Sequence, residues 1–269
     1  MRASVGGVEL EYQVEGQGPW LILSHSLTTD LGMWDLQMPP LLKQFRVLRY
    51  DMRGHGRSAA PAGPYSFDEL GGDVLGLMDA LGIDRASYVG LSIGGMIGQH
   101  LALRAPERFE RLVLANTTSR IPPEGVALWE ERIRAVGERG LEPLVQSTLE
   151  RWFTEPYRQA NSDVMAWIGA MIRRTPAAGY IGCGRAIQTL DLTDRLGAIR
   201  LPVLVIAGAE DPGTPPAAGA GIAQAIPGAR LEIIARASHL SCIEQPETFN
   251  RLLLDFLTPP DQADFSARK

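Results

Sequence analysis

Gly90-Leu91-Ser92-Ile93-Gly94 sets a serine between two glycines, and the segments on either side of it give the pattern its meaning. Arg85-Ala86-Ser87-Tyr88-Val89 reads as a short buried strand, and residues 95–103 read as the helix that follows. A serine at that junction sits on a nucleophile elbow, a strand-to-helix turn sharp enough to push its hydroxyl out of the sheet. The turn strains the serine backbone and crowds the positions beside it, so those positions take glycine. With 29 glycines in 269 residues, the bare pattern arises by chance in roughly one chain in seven. Context and partners must carry the rest.

Outward from the elbow, strand-like and helix-like runs alternate, the mark of an α/β fold with a mostly parallel central sheet and helices on both faces. Residues 8–14 alternate as an early antiparallel strand. Strands follow at 20–24, 46–50, 87–89 and 112–115, with two late ones at 203–207 and 231–234. Residues 67–81 form a helix, since Leu70, Val74, Leu77, Met78 and Leu81 recur at helical spacing and Ser66 with Glu69 makes a capping box. Over 120–190 the strand signal stops, and Pro122, Pro123, Pro143, Pro156 and Pro176 break the segment into short helices. The expected organisation is a core of 1–119 and 191–269 with a helical cap inserted at 120–190. That cap holds Trp129, Trp152 and Trp167 beside Phe153, Tyr157, Met165, Met171 and Tyr180, apolar material for covering a small-molecule pocket.

A serine hydroxyl is a poor nucleophile at neutral pH and needs a base, which in turn needs an orienting acid. Of the four histidines, only His239 lies in a loop after the last strand, where a parallel sheet collects its catalytic groups. His239 is the expected base. Asp211 follows the strand at 203–207, with Pro212 and Gly213 turning the chain after it; Glu210 is the neighbouring alternative, pointing the other way in extended geometry. The order Ser92, Asp211, His239 is the one an α/β-hydrolase uses. An oxyanion formed on attack needs two backbone N–H donors, expected from Ile93 and from Leu27 in the loop after residues 20–24. His25 is expected to shape that loop, His55 to be structural, and His100 to pack or lie at the surface.

Composition narrows the remaining classes. No run approaches the ~18 apolar residues that a membrane-spanning helix needs. The net charge of −5 without a basic block argues against nucleic acid. Cys183 and Cys242 lack metal-type spacing, so two free thiols, no disulfide, no metal and no cofactor are expected. The N-terminus has no secretory apolar core, from which a cytoplasmic location is expected.

Residues 51–58 (Asp-Met-Arg-Gly-His-Gly-Arg-Ser), 90–99 and Ala105-Pro106-Glu107-Arg108 resemble the α/β-hydrolases. Ser26-Leu27-Thr28-Thr29-Asp30, Arg151-Trp152-Phe153-Thr154 and His239-Leu240-Ser241 before Glu244 are similar to the 3-oxoadipate enol-lactonases of aromatic catabolism. That resemblance covers nearly the whole chain. It implies a serine esterase or lactonase with the triad Ser92, Asp211, His239, oxyanion donors Leu27 and Ile93, and a small ester or lactone as its partner. The free carboxylate of such a substrate would favour a cationic cap group, for which Arg132, Arg134, Arg173, Arg174 and Arg185 are candidates. A general carboxylesterase, a lactonase for other rings such as acyl-homoserine lactones, and a small-molecule receptor are the alternatives. A dehalogenase is disfavoured, because it needs a carboxylate where Ser92 stands.

Overall fold

The computed structural model describes residues 1–258. Their eight strands are β1 (Arg2–Val5), β2 (Val8–Gly16), β3 (Trp20–Ser24), β4 (Arg46–Tyr50), β5 (Ala86–Leu91), β6 (Phe109–Ala115), β7 (Val203–Gly208) and β8 (Arg230–Ile234). They form one sheet in the order β1-β2-β4-β3-β5-β6-β7-β8. β2 runs antiparallel to β1 and β4, and every pairing from β4 to β8 is parallel. β5 and β7 are buried along their whole length, as expected of strands covered on both faces.

The helices are α1 (Met38–Leu41), α2 (Phe67–Ala80), α3 (Ile93–Arg104), α4 (Pro123–Arg139), α5 (Val145–Trp152), α6 (Glu155–Ala160), α7 (Ser162–Arg174), α8 (Ala177–Gln188), α9 (Pro216–Ala225), α10 (Ser241–Glu244) and α11 (Pro246–Leu257). α2 begins with the expected capping box: the Ser66 hydroxyl accepts from the Glu69 N–H, and the Glu69 carboxylate accepts from the Ser66 N–H. α3 packs on β5 and β6, and α9 on β7 and β8. The sequence reading omits β1. It is joined to β2 by Gly6 and Gly7, both at positive φ (57° and 80°), which glycine adopts without steric cost.

Residues 120–190 carry α4 to α8 and no strand of the sheet. The chain leaves the core and returns to it at one point, where Arg120 and Asp191 form an antiparallel bridge. The Arg120 guanidinium also pairs there with Asp191 (2.6 Å) and Asp194 (2.9 Å). α4 packs on α8 and α5 on α7. α8 lies directly on the core: an added Cβ at Gly179 would overlap the Gly54 carbonyl, and one at Gly182 would meet the Tyr65 ring at 2.6 Å.

Candidate active site

Ser92 stands between β5 and α3 with φ 58° and ψ −117°, a conformation that a non-glycine residue holds only under strain of ~1–3 kcal/mol. Backbone packing explains the flanking glycines. A Cβ on Gly90 would strike the Gly94 carbonyl, and one on Gly94 would strike the Ser24 carbonyl. The elbow therefore lies flush against the loop after β3. Its own bonds hold it there: Ser92 N–H donates to Ala115 O (2.9 Å), Thr117 Oγ1 donates to Ser92 O (2.7 Å), and Tyr88 Oη donates to Gly94 O (2.8 Å).

The loop that carries Leu27 is braced from below. His25 is fully buried, with Nδ1 bonded to Ser26 O (2.7 Å) and Nε2 accepting from Met52 N–H (2.9 Å), so Nδ1 carries the proton. Burial lowers the His25 pKa, which keeps the ring neutral for this role. Thr29 Oγ1 donates to the same Ser26 carbonyl (2.8 Å). The Leu27 N–H makes no hydrogen bond among the described residues, and Ile93, the first residue of α3, has no intrahelical acceptor. Both amides are thus available to an oxygen near Ser92.

Asp211 and His239 come together past the ends of β7 and β8, with Nδ1 to Oδ2 at 2.7 Å. The carboxylate is buried and saturated with donors. Oδ1 accepts from Gly213 N–H (2.8 Å) and Thr214 N–H (3.0 Å), while Oδ2 accepts from Thr214 Oγ1 (2.6 Å) and Asn116 Nδ2 (3.1 Å). Burial pushes the Asp211 pKa up, but the His239 charge and the hydrogen bonds from His239 and Thr214 outweigh it and hold the carboxyl at about 2. Glu210 is exposed and makes no bond to His239. Ser92 and His239 line one cavity without a direct hydrogen bond; the imidazole bonds to Asp211 and Thr214 are both made at Nδ1, which leaves Nε2 without a partner among the described residues.

Asn116, which sequence reasoning missed, holds this arrangement together with Trp152 and Glu244, which it named without these contacts. Asn116, just after β6, donates from Nδ2 to both Asp211 Oδ2 and Ser238 O (3.1 Å each), and its Oδ1 accepts from Ser241 Oγ (2.6 Å). It does so at φ 43°, a conformation asparagine tolerates better than most residues. The Trp152 ring stacks on the His239 imidazole at 5.9 Å and 27°. Buried Glu244 accepts from Ser238 N–H (2.8 Å) through one oxygen, and from Thr154 N–H (3.0 Å) and the Thr154 hydroxyl through the other. It thereby ties the histidine loop to the start of α6. The one hint in sequence is position: Asn116 directly follows a strand of the parallel sheet, as Asp211 and His239 follow theirs.

The cavity measures about 540 Å³. Ser26, Leu27, Ser92, Met96 and His239 line it from the core, and Trp129, Arg132, Arg151, Trp152 and Tyr180 from the helical segment. The Ser26 hydroxyl on that wall is buried and has no partner among the described residues. Trp167, Phe153, Tyr157, Met165 and Met171 do not reach it; Phe153, for one, is fully buried and stacks on Tyr157. Cys183 and Cys242 are free and buried, with thiol pKa values pushed up by burial, and neither touches the cavity. Among the described residues no cluster of three or more His, Cys, Asp or Glu is arranged to hold a metal, and no helix is long and apolar enough to cross a membrane.

With this geometry in view, relatives become informative. The family model described as alpha/beta hydrolase fold matches residues 19–246. The 3-oxoadipate enol-lactonase 2 of Acinetobacter baylyi is 40% identical over 245 residues, 90% of this chain and 91% of that protein. A Caulobacter sp. (strain K31) protein that bears the name carbamate hydrolase RutD is 33% identical over 241 residues, 88% of this chain and 90% of its own. Among solved structures, the enol-lactonase from Burkholderia xenovorans LB400 superposes with a TM-score of 0.93 at 45% identity, covering 96% of this chain and all of that one. The chain belongs to the alpha/beta-hydrolase fold family.

Proposed function

We propose that this protein is a serine hydrolase of carboxylic esters that opens small lactones through an acyl-enzyme, with 3-oxoadipate enol-lactone as its substrate. The observation that carries the reading is the 2.7 Å bond between His239 and buried Asp211, in a cavity that also holds Ser92 on its strained turn. Likeness to the named enol-lactonases supports the choice of ring.

In this mechanism Ser92 Oγ bonds to the ring carbonyl carbon as His239 Nε2 takes the hydroxyl proton. Asp211 keeps the proton on Nδ1 and stabilises the imidazolium that forms. The carbonyl electron pair moves to oxygen, where the Leu27 and Ile93 N–H groups receive it; each such donor is worth ~3 kcal/mol in the transition state. Collapse breaks the ring C–O bond, and His239 returns its proton to the departing enol oxygen, still tethered to the acyl chain. A water then gives a proton to His239 and attacks the acyl carbon; the bond from that carbon to Ser92 Oγ breaks, and His239 returns the proton to Oγ, releasing the acid and restoring Ser92. Tautomerisation of the enol to a ketone draws the reaction forward.

The test is a comparison of kcat/KM for the enol-lactone, a carbamate, an acyl-homoserine lactone and a short aryl ester. The enol-lactone is expected to be turned over most efficiently. A higher value for the carbamate would move the assignment to the reaction for which the Caulobacter relative is named. Ser92→Ala should lower kcat by at least ~10³-fold with substrate still bound; retained activity would remove Ser92 from the nucleophile's role.

A further inference from the structure

The cavity over Ser92 contains two positive charges that no described residue pairs with. Arg132 on α4 and Arg151 on α5 both line it, and neither forms an ion pair with any described residue. The Arg151 side chain donates only to the Thr148 hydroxyl (3.1 Å). The Arg132 guanidinium carbon lies 5.4 Å from the centre of the Trp129 ring. Burial lowers the Arg151 pKa, and the nearby Arg132 charge lowers it further. Burial raises the Tyr180 phenol pKa, and both charges act against that rise.

Two buried arginines outside the cavity serve as a control. Arg49 and Arg53 are more deeply buried, yet each holds two carboxylates, Asp35 with Glu15 and Asp73 with Glu69. Of the other cationic candidates read from the sequence, Arg173 pairs with Glu142, Arg174 with Asp30 and Arg185 with Glu130, while Arg134 is exposed and does not line the cavity. Two carboxylates do belong to the cavity wall. Asp211 is occupied by His239 and Thr214, and exposed Glu124 forms no bond to either arginine. Two like charges brought together under tryptophan and leucine repel each other and lose hydration, a cost that an anionic ligand reverses.

We infer that Arg132 and Arg151 form a carboxylate subsite that selects lactones and esters bearing a free acid group over neutral ones of the same shape. This rests on the serine-hydrolase reading of the same cavity. The acid group would be held by the helical segment while the core presents Ser92, Leu27 and Ile93 to the ester carbonyl. One carboxylate between two guanidinium groups also fixes which end of the molecule enters first. Neutral acyl-homoserine lactones lack that anchor.

The experiment compares kcat/KM for the enol-lactone and for its methyl ester, in the wild type and in Arg132→Leu, Arg151→Leu and the double variant. The wild type should favour the free acid by about 30-fold or more, the usual scale for a desolvated charge pair that loses one partner. That ratio should fall in each single variant and approach one in the double variant. Arg132→Lys and Arg151→Lys should recover part of it, which a general loss of folding would not allow. A wild-type ratio near one overturns the subsite, and so does a ratio that the leucine variants leave in place. Ser92→Ala separates the two readings. If it abolishes hydrolysis of both compounds while the ratio is near one, only the subsite fails; if hydrolysis survives it, the serine reading beneath fails.

Discussion

The Asp211 carboxylate receives four hydrogen bonds besides the imidazole, so its negative charge is fixed in place before any substrate arrives. Its pKa of about 2 lies below the ordinary 3.8. A lowered carboxyl pKa contributes stability that is complete above the ordinary value and is lost only as pH falls through the lowered one. The His239–Asp211 pair should accordingly contribute fully above about pH 4 and lose that contribution as pH falls toward 2, which an acid-unfolding titration reads. Asp211→Asn leaves the shape intact but turns a donor or an uncharged oxygen toward Nδ1. Loss of the correct tautomer should lower kcat by about 10⁴-fold with KM little altered. Steady-state kinetics of both proteins check this: a variant that keeps the wild-type kcat would contradict the assignment.

At the scale of elements, the turn between β5 and α3 is set by backbone meeting backbone. Because the obstacle to a side chain at Gly94 is the Ser24 carbonyl, no rotamer change can relieve it. Gly94→Ala should cost roughly 1–3 kcal/mol and displace the loop that carries Leu27, so thermal midpoint and kcat should fall together. Glu244 does comparable work between α10 and α6. Glu244→Ala would strand the Ser238 and Thr154 N–H groups beneath the surface, at about 1–3 kcal/mol for each unpaired group. Loosening the residue beside His239 should also lower kcat more than it raises KM, which steady-state kinetics can separate. These contacts mark the limit of what the sequence discloses. The elbow, the continuously buried β5 and β7, and the α2 capping box are local patterns written within a few residues, and they were readable. Asn116 acts on partners 95–125 residues away, Glu244 on Thr154 90 residues away, and Trp152 on His239, so no spacing along the chain announces these roles. β1 had a local signal, the Gly6-Gly7 pair, but only four residues on which to build a strand.

Over the whole molecule, the same distinction separates one arginine from another. Residue type made Arg132, Arg134, Arg173, Arg174 and Arg185 candidates for the substrate's charge; packing takes Arg185 to Glu130, Arg173 to Glu142 and Arg174 to Asp30, leaves Arg134 exposed, and sets Arg132 in the cavity beside Arg151, which residue type had not singled out. The segment as a body is bound to the core on several sides. Gly179 and Gly182 put α8 in backbone contact with the Gly54 loop and the Tyr65 ring, Glu244 and Ser238 grip Thr154 and the Arg151 carbonyl, and Arg120 closes the neck. Glycine contacts of this kind tolerate little separation, since partial withdrawal exposes carbonyls and apolar side chains together. The helices should therefore unfold with the sheet and not before it. Three of the five tryptophans, Trp129, Trp152 and Trp167, report on the segment, whereas far-UV circular dichroism reports on the whole chain. In a denaturant titration the two signals should trace one transition with a common midpoint. Gly179→Ala, which forces a side chain into the Gly54 carbonyl, should split them, the tryptophan change coming first. An early tryptophan transition in the wild type would mean that the segment is held loosely enough to open on its own.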